Sequence, residues 1–521
     1  MRIIDFLENS PAFSKGDAQF IDINNDFSLS YREMFNIAQH VAMQLKEKGV
    51  KQQDIVATYA PNSIATYCCI FAISEIGAIW LPLNLRNTIE ANLKLLKKSN
   101  ARLLFVDLDI LDANHQLVVQ YNNENCLSFT GKKIAGIDIQ NFKNEFIEQA
   151  EERLIRGNDP DLISLFPTGG TTGDSKLAEW SYLTWQSMVS IQNKLMPIPD
   201  IASSYLVSAP ITHAAGVASF ALILQGSNII VMEGMTPDVI LSIIEKHKIT
   251  HLFLPPTAIY MLLAHKGVKN YDYTSLRYFW YAAAPMSVEK LKEAIDVFGP
   301  VMVQTYGQAE SPMVCTFLSA EDHVDAVEMD DFYKIRSCGK IAPQIEVVIL
   351  DDDDKILPLG KEGEIAVKGD LLMRCYFNDS EATNEIRVNG WQKTGDVGIF
   401  DNEGYLTIVD RKRDMIISGG FNVYPGEIEQ LIWGHSSIKD CCVIGIPDEK
   451  WGEQVTAVVE LKDPKVKLDT QEIIALCKQK LGSVKSPKEI LIWDELPRSP
   501  VGKVLKKEVR KYFWEKVGRK I

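Results

Sequence analysis

Helical and strand-like hydrophobic periods alternate along most of this 521-residue chain, and that alternation constrains the fold more than any other feature. Between Tyr31 and Lys48, apolar residues at Met34, Ile37, Ala38, Val41, Ala42 and Leu45 keep a helical period that ends at Gly49. Asp54–Tyr59 then reads as a short buried strand. Pro237–Lys246 repeats the helix and His251–Leu254 the strand, closed by Pro255-Pro256. The pattern predicts an α/β architecture. The length exceeds what one hydrophobic core serves, so two or more domains are expected. A boundary falls near Asp410–Asp414, just after the strand-like Tyr405–Val409. Beyond it, Ile428–Trp433 reads as helix, Cys441–Ile446 and Val455–Leu461 as strands, and Gln471–Leu481 as an amphipathic helix. The expectation is a large N-terminal domain of several sheets and helices, residues 1–410, followed by a small α+β domain, residues 414–521.

Charge and cysteine usage exclude some functions. A formal net charge of -14 argues against nucleic acid as the main partner, because such binding rests on Lys and Arg neutralising phosphates. The nine cysteines include two adjacent pairs, Cys68-Cys69 and Cys441-Cys442, but no metal-type CxxC pair and no dense disulfide spacing. Reduced thiols in a cytoplasmic protein are the simplest account. The opening MRIIDFLENSP carries Asp5 and Glu8 where a signal peptide needs an apolar run. Ile64–Leu85, the most apolar long stretch, is interrupted by Glu75 and Pro82, and no membrane span is expected. Asp351–Lys355 reads as a solvated charged turn between strands, since consecutive aspartates do not all face one ion.

The strongest local signal is TGGTTGDSK, Thr168–Lys176, directly after the strand-like Leu162–Phe166. Its glycines let backbone amides approach an anion, its hydroxyls add donors and Lys176 adds a charge, as a polyphosphate-embracing loop requires. Its spacing is not that of the GxxxxGK[ST] loop, and no helix clearly follows. A plain Gly/Thr surface turn is the competing reading. Four further segments follow in order: YGQAE (Tyr306–Glu310), TGD (Thr394–Asp396), YLTIVDRKRD (Tyr405–Asp414) and PRSPVGK (Pro497–Lys503). Each is weak alone.

Together, in this order, they resemble the adenylate-forming superfamily of acyl- and aryl-CoA synthetases, peptide-synthetase adenylation domains and beetle luciferases, from about Tyr31 to Lys507. The resemblance implies ATP-dependent activation of a carboxylic acid to an acyl-adenylate, then transfer to coenzyme A. It assigns Thr168, Gly169, Gly170, Thr171, Thr172, Gly173 and Lys176 to the ATP phosphates, and Tyr306 to the face of adenine. Gln304, Gly307 and Gln308 fall in the same nucleotide-binding strand and turn. Glu310 matches the acid that helps hold Mg²⁺. Ala283, Ala284 and Pro285 match the segment bordering adenine and the acyl group. Asp396 and Arg411 match the residues at the ribose, and Arg413 the hinge within residues 411–413. Ser418, Gly419 and Gly420 match the loop lining the pantetheine tunnel, and Lys503 the lysine bridging the attacking carboxylate and the α-phosphate. Three departures are visible: Ala309 replaces the usual Thr or Ser, Ser175-Lys176-Leu177 replaces PKG, and Glu179-Trp180-Ser181 lacks the usual Thr-His.

In SAPITHAAGV (Ser208–Val217), where this family shapes its acyl pocket, Ala214 stands where amino-acid-activating members carry an aspartate. An amino acid's ammonium would be buried without a partner there. His213 gates the pocket, faces the substrate carboxylate, or is a packed core histidine. Ala214, Gly216 and Ala282 are small, leaving room for an apolar aryl or medium-chain acid. Free coenzyme A is the leading acceptor and a separate acyl-carrier protein the alternative. The basic stretch Lys506, Lys507, Arg510 and Lys511 reads either as a solvated helix face or as a contact for coenzyme A phosphates. A catalytically silent homologue that keeps the fold is the third reading.

Overall fold

The computed structural model describes residues 2–107, 117, 121, 126–130, 133–134, 137–138, 162–168, 175–198, 202–448, 450–498 and 504–514. The predicted α/β alternation is present. Two large sheets dominate residues up to 341, one of nine strands and one of eight. In the first, Gln19–Asp22, Asn228–Val231, Ser204–Val207, His251–Phe253, Tyr278–Tyr281 and Met302–Gln308 run parallel, and Ser311–Leu318 returns antiparallel at one side. In the second, Ile79–Pro82, Ile55–Tyr59 and Leu103–Asp107 form a parallel centre.

Helices Ile64–Glu75 and Ala214–Gln225 lie in the core between these sheets. The first is buried on every side, as its lack of a polar face requires. Its Glu75 is buried opposite Arg2, at 3.8 Å. Among the described residues no helix is long and apolar enough to cross a membrane. Helix Tyr31–Glu47 buries the six apolar positions read from the sequence, and its start is fixed by a capping box between Ser30 and Glu33.

A third sheet joins Glu346–Leu350, Glu362–Lys368, Trp391–Phe400, Arg387–Val388 and Leu406–Arg411. The charged turn before Glu362 is solvent-facing, yet two of its aspartates reach lysines outside the turn: Asp352 meets Lys412 and Asp354 meets Lys393, each at 3.0 Å. From Ile416 a fourth sheet begins, with Gly452–Leu461 at its centre and its own buried core of Ile428, Ile432, Val443, Val455 and Cys477. Helices Pro425–Trp433 and Thr470–Lys485 cover it, the first starting three residues before the span read from the sequence and ending with it, the second running from one residue before that span to four after it.

Within the basic run near the C-terminus, Lys506 and Arg510 depart from the reading of a solvated helix face, while Lys511 is exposed. Helix Lys506–Trp514 turns Lys506 inward to Glu429 at 2.9 Å and Arg510 to Glu453 at 3.4 Å. Neither side chain is more than 19% exposed, because carboxylates remote in sequence are buried beneath this face.

Candidate active site

Three parallel strands of the nine-stranded sheet, the last two of them adjacent, release their chains at one end, where ligands of open α/β sheets bind. Ser204–Val207 leads to His213, Tyr278–Tyr281 to Ala282–Pro285, and Met302–Gln308 to Glu310. Just past the second of these, Ala283 adopts φ 73°, a conformation uncommon for a residue with a side chain.

The Gly/Thr loop is strung between antiparallel strands Leu162–Pro167 and Leu177–Ser181, so a strand and not a helix follows it. Its neck is closed by Thr168 N–H donating to the Lys176 carbonyl at 2.8 Å. Gly169–Gly173, on which the phosphate reading falls, lie outside the described residues. Residues 374–377 extend the sheet edge beside Leu177–Ser181: Glu179 N–H donates to the Cys375 carbonyl at 2.9 Å and Phe377 N–H to the Leu177 carbonyl at 2.8 Å. This added edge delivers Tyr376, which the sequence did not single out. Its hydroxyl donates to Glu310 Oε1 at 2.6 Å, while Lys176 Nζ sits 4.8 Å from its ring centroid. Burial and the adjacent Glu310 charge push the Tyr376 hydroxyl far above its usual range, so it stays a donor.

The YGQAE segment is clamped from several sides. The Glu310 carbonyl accepts from Gln392 Nε2 at 2.7 Å and from Met373 N–H at 2.9 Å. Trp180, stacked on Phe166 at 3.7 Å, donates from its indole to the Ala309 carbonyl at 2.7 Å. At Gly307 an added Cβ would lie 2.7 Å from the Met313 backbone, so the turn closes only around glycine. Gln308 reaches the Thr394 carbonyl at 3.4 Å, and Gln304 accepts from the Tyr281 hydroxyl at 2.9 Å.

A second cluster forms where Trp391–Phe400 and Leu406–Arg411 pair, with Asp396 opposite Arg411. The buried Asp396 accepts from the Tyr306 hydroxyl at 2.7 Å and lies 3.5 Å from Arg411 Nε. Burial, reinforced by the Asp396 charge, raises the Tyr306 hydroxyl well above its ordinary value. Tyr306, Asp396 and Arg411, spread over a hundred residues of sequence, are thus one contact set.

His213 caps helix Ala214–Gln225. Asn84 Oδ1 accepts from Arg86 N–H, which leaves its Nδ2 to donate to His213 Nε2 at 3.2 Å. The imidazole proton then sits on Nδ1, 3.0 Å from Thr212 Oγ1. Burial, with a smaller push from Arg86, lowers this pKa to about 4, so the ring is neutral at neutral pH. The smallness of Gly216 is a packing requirement: an added Cβ would meet the Ile211 carbonyl oxygen at 1.9 Å.

Ser418–Gly420 stands apart from these clusters. It turns the hairpin Ile416–Val423, which packs on strands Gly452–Leu461 and Ile438–Asp448 and on helix Thr470–Lys485. Gly419 and Gly420 are exposed there. Arg413, just before this hairpin, is exposed, and Lys503 lies outside the described residues.

Two family models match the chain: the AMP-binding enzyme over residues 7–377 and the AMP-binding enzyme C-terminal domain over residues 427–503. The chain therefore belongs to the AMP-binding enzyme family. Like other adenylate-forming enzymes it has a large N-terminal and a small C-terminal domain. A feruloyl-CoA synthase of Amycolatopsis sp is 32% identical over 93% of this chain and 94% of its own. A medium/long-chain-fatty-acid–CoA ligase of Mycobacterium tuberculosis is 39% identical over 70% of this chain, and the match spans 63% of that protein's length. The crystal structure of ATP-bound MatB from Rhodopseudomonas palustris superposes with a TM-score of 0.86, at 26% identity, covering all of both chains.

Proposed function

We infer that this chain is an AMP-forming acid–thiol ligase, which joins a carboxylic acid to ATP as an acyl-adenylate and passes the acyl group to coenzyme A. The observation that carries this reading is the convergence of Lys176, Tyr376 and Glu310 in one cluster, and of Tyr306, Asp396 and Arg411 in another. Both clusters sit on segments that leave or flank one end of the nine-stranded sheet. Attack of a carboxylate on the α-phosphate brings two anions together, and fixed cations stabilise the charge that builds up. Lys176 supplies one such cation and Lys503 the other, with the amides of residues 169–173 around the leaving phosphates. Asp396 accepts from the ribose hydroxyls, Arg411 supports it, and Tyr306 presents its ring to adenine.

Among the described residues no group of three carboxylate, histidine or cysteine side chains forms a metal cage. Mg²⁺ commonly binds through one or two carboxylates together with substrate phosphates and water. Glu310, held through Oε1 by Tyr376, fits that role, and the ion would neutralise phosphate charge there.

The two domains divide as residues 1–410 and 414–521, about a hinge at 411–413 that includes Arg413. In the second half-reaction the loop Ser418–Gly420, exposed at its two glycines, meets the acyl-adenylate and guides the thiol. The acid is apolar, of the aryl or medium- to long-chain class. The neutral His213 and the absence of a carboxylate at Ala214 leave no partner for a substrate ammonium, and the named relatives act on feruloyl and fatty acyl groups. Free coenzyme A, and not a carrier protein, is the acceptor, as in those names. A panel of aryl and fatty acids tests this: one acid class should give coenzyme A thioester and AMP in equal amounts. Turnover confined to amino acids would refute it.

A further inference from the structure

Asp410 is the next-to-last residue of strand Leu406–Arg411, on the large-domain side of the hinge, yet its buried carboxylate is engaged by the small domain. Oδ2 accepts from Gly426 N–H at 2.7 Å, in the first turn of helix Pro425–Trp433, and lies 4.0 Å from Lys506 Nζ. Oδ1 is occupied by Arg411 N–H at 2.7 Å. Lys506 makes its closer contact with Glu429, which also accepts from Val443 N–H at 2.7 Å and is thereby tied to the small domain's sheet. The fit across the hinge is tight, since a Cβ at Gly426 would lie 2.9 Å from the Val409 carbonyl oxygen.

The described residues on either side of 499–503, the stretch that holds Lys503, are anchored. Ahead of it, Arg498 pairs with Asp440 at 2.6 Å and Glu460 at 2.8 Å, and the two sides are joined by Leu505 N–H donating to the Pro497 carbonyl at 2.8 Å. Behind it, Lys506 is three residues on. The first anchor lies wholly within the small domain. The second alone reaches across the hinge, to Asp410. In this arrangement Gly419 and Gly420 face solvent, so the thiol-guiding loop is not engaged.

We propose that Asp410 and Lys506 form a latch across the hinge that positions the Lys503 segment for adenylation and opens for thioester formation. The proposal rests on the reading of Arg413 as hinge and Lys503 as the adenylation lysine. Lys506–Glu429 travels with the small domain when it rotates, whereas Asp410 must part from both Gly426 and Lys506. Both latch residues are positioning residues, since neither is placed to touch substrate.

The test measures the half-reactions separately in Asp410→Asn, Lys506→Met and Lys506→Arg. Asp410→Asn keeps an oxygen for Gly426 N–H and removes the charge facing Lys506 together with the acceptor of Arg411 N–H, so the split between the half-reactions, and not the size of the loss, reads the latch even where Lys506→Met unfolds around Glu429. Acid-dependent pyrophosphate release should fall on the order of tenfold in Asp410→Asn, equivalent to about 1.4 kcal/mol. Thioester formation from supplied acyl-adenylate should hold or rise, and Lys506→Arg should restore adenylation. Equal losses in both halves, or no change in either, would overturn the latch. Lys503→Ala run alongside tests the reading beneath it: adenylation retained there would overturn that reading, and the latch with it.

Discussion

Replacing Tyr376 by Phe removes a single oxygen from the point where the phosphate loop, the YGQAE turn and the 374–377 edge meet. The hydroxyl donates at 2.6 Å to the Glu310 carboxylate, and hydrogen bonds to charged groups contribute about 1.5–3 kcal/mol. The ring under Lys176 Nζ is kept, as is the backbone pairing of the segment. If the bond serves to aim Glu310, kcat/KM for MgATP should fall between about 10- and 150-fold, with secondary structure unchanged. Tyr376→Leu, which also removes the cation–π contact, should fall further by about 0.5–1 kcal/mol. The assay is pyrophosphate release at saturating acid across a range of MgATP concentrations. A Tyr376→Phe enzyme within twofold of the parent would refute the argument that this hydroxyl orients Glu310.

Asp396→Ala leaves the buried Tyr306 hydroxyl without its acceptor, a cost of about 1–3 kcal/mol, and should lower the melting temperature while raising the KM for ATP. Gly307→Ala forces a Cβ against the Met313 backbone at 2.7 Å, so adenylation should drop in a variant that still folds by circular dichroism. Stability should fall on acidification below about pH 6.5, because burial lowers His213 and His323 to about 4 and His251 to about 3. In that window the unfolded chain binds protons that the native chain refuses, so each such histidine with a pKa near 4 costs about 2 kcal/mol by pH 5. Thermal melts from pH 8 to 5 check the sign, and His323→Gln should flatten the slope.

The alternation of periods made the fold class legible because burial follows hydrophobic spacing directly, as in helix Tyr31–Glu47. The family resemblance assigns Tyr306, Asp396 and Arg411 to one nucleotide, and in the fold these three, from separate motifs, touch. Tyr376 was not legible, since its role depends on the 374–377 segment pairing with an edge strand nearly two hundred residues earlier. The inward turn of Lys506 and Arg510 was not legible for the same reason. A local basic run looks solvated until Glu429, Glu453 and Asp410 are folded beneath it. Spacing reports which face of an element is apolar, not which distant carboxylate will meet a charge.

The central claim is tested most directly by supplying the purified chain with ATP, Mg²⁺, coenzyme A and a panel of aryl and fatty acids, and quantifying pyrophosphate, AMP and acyl-CoA together. The account predicts all three in equal amounts for one class of acid, with pyrophosphate and thioester both lost in Lys503→Ala but thioester formation restored by added acyl-adenylate. Pyrophosphate release that yields no thioester, or no release with any acid, would contradict it.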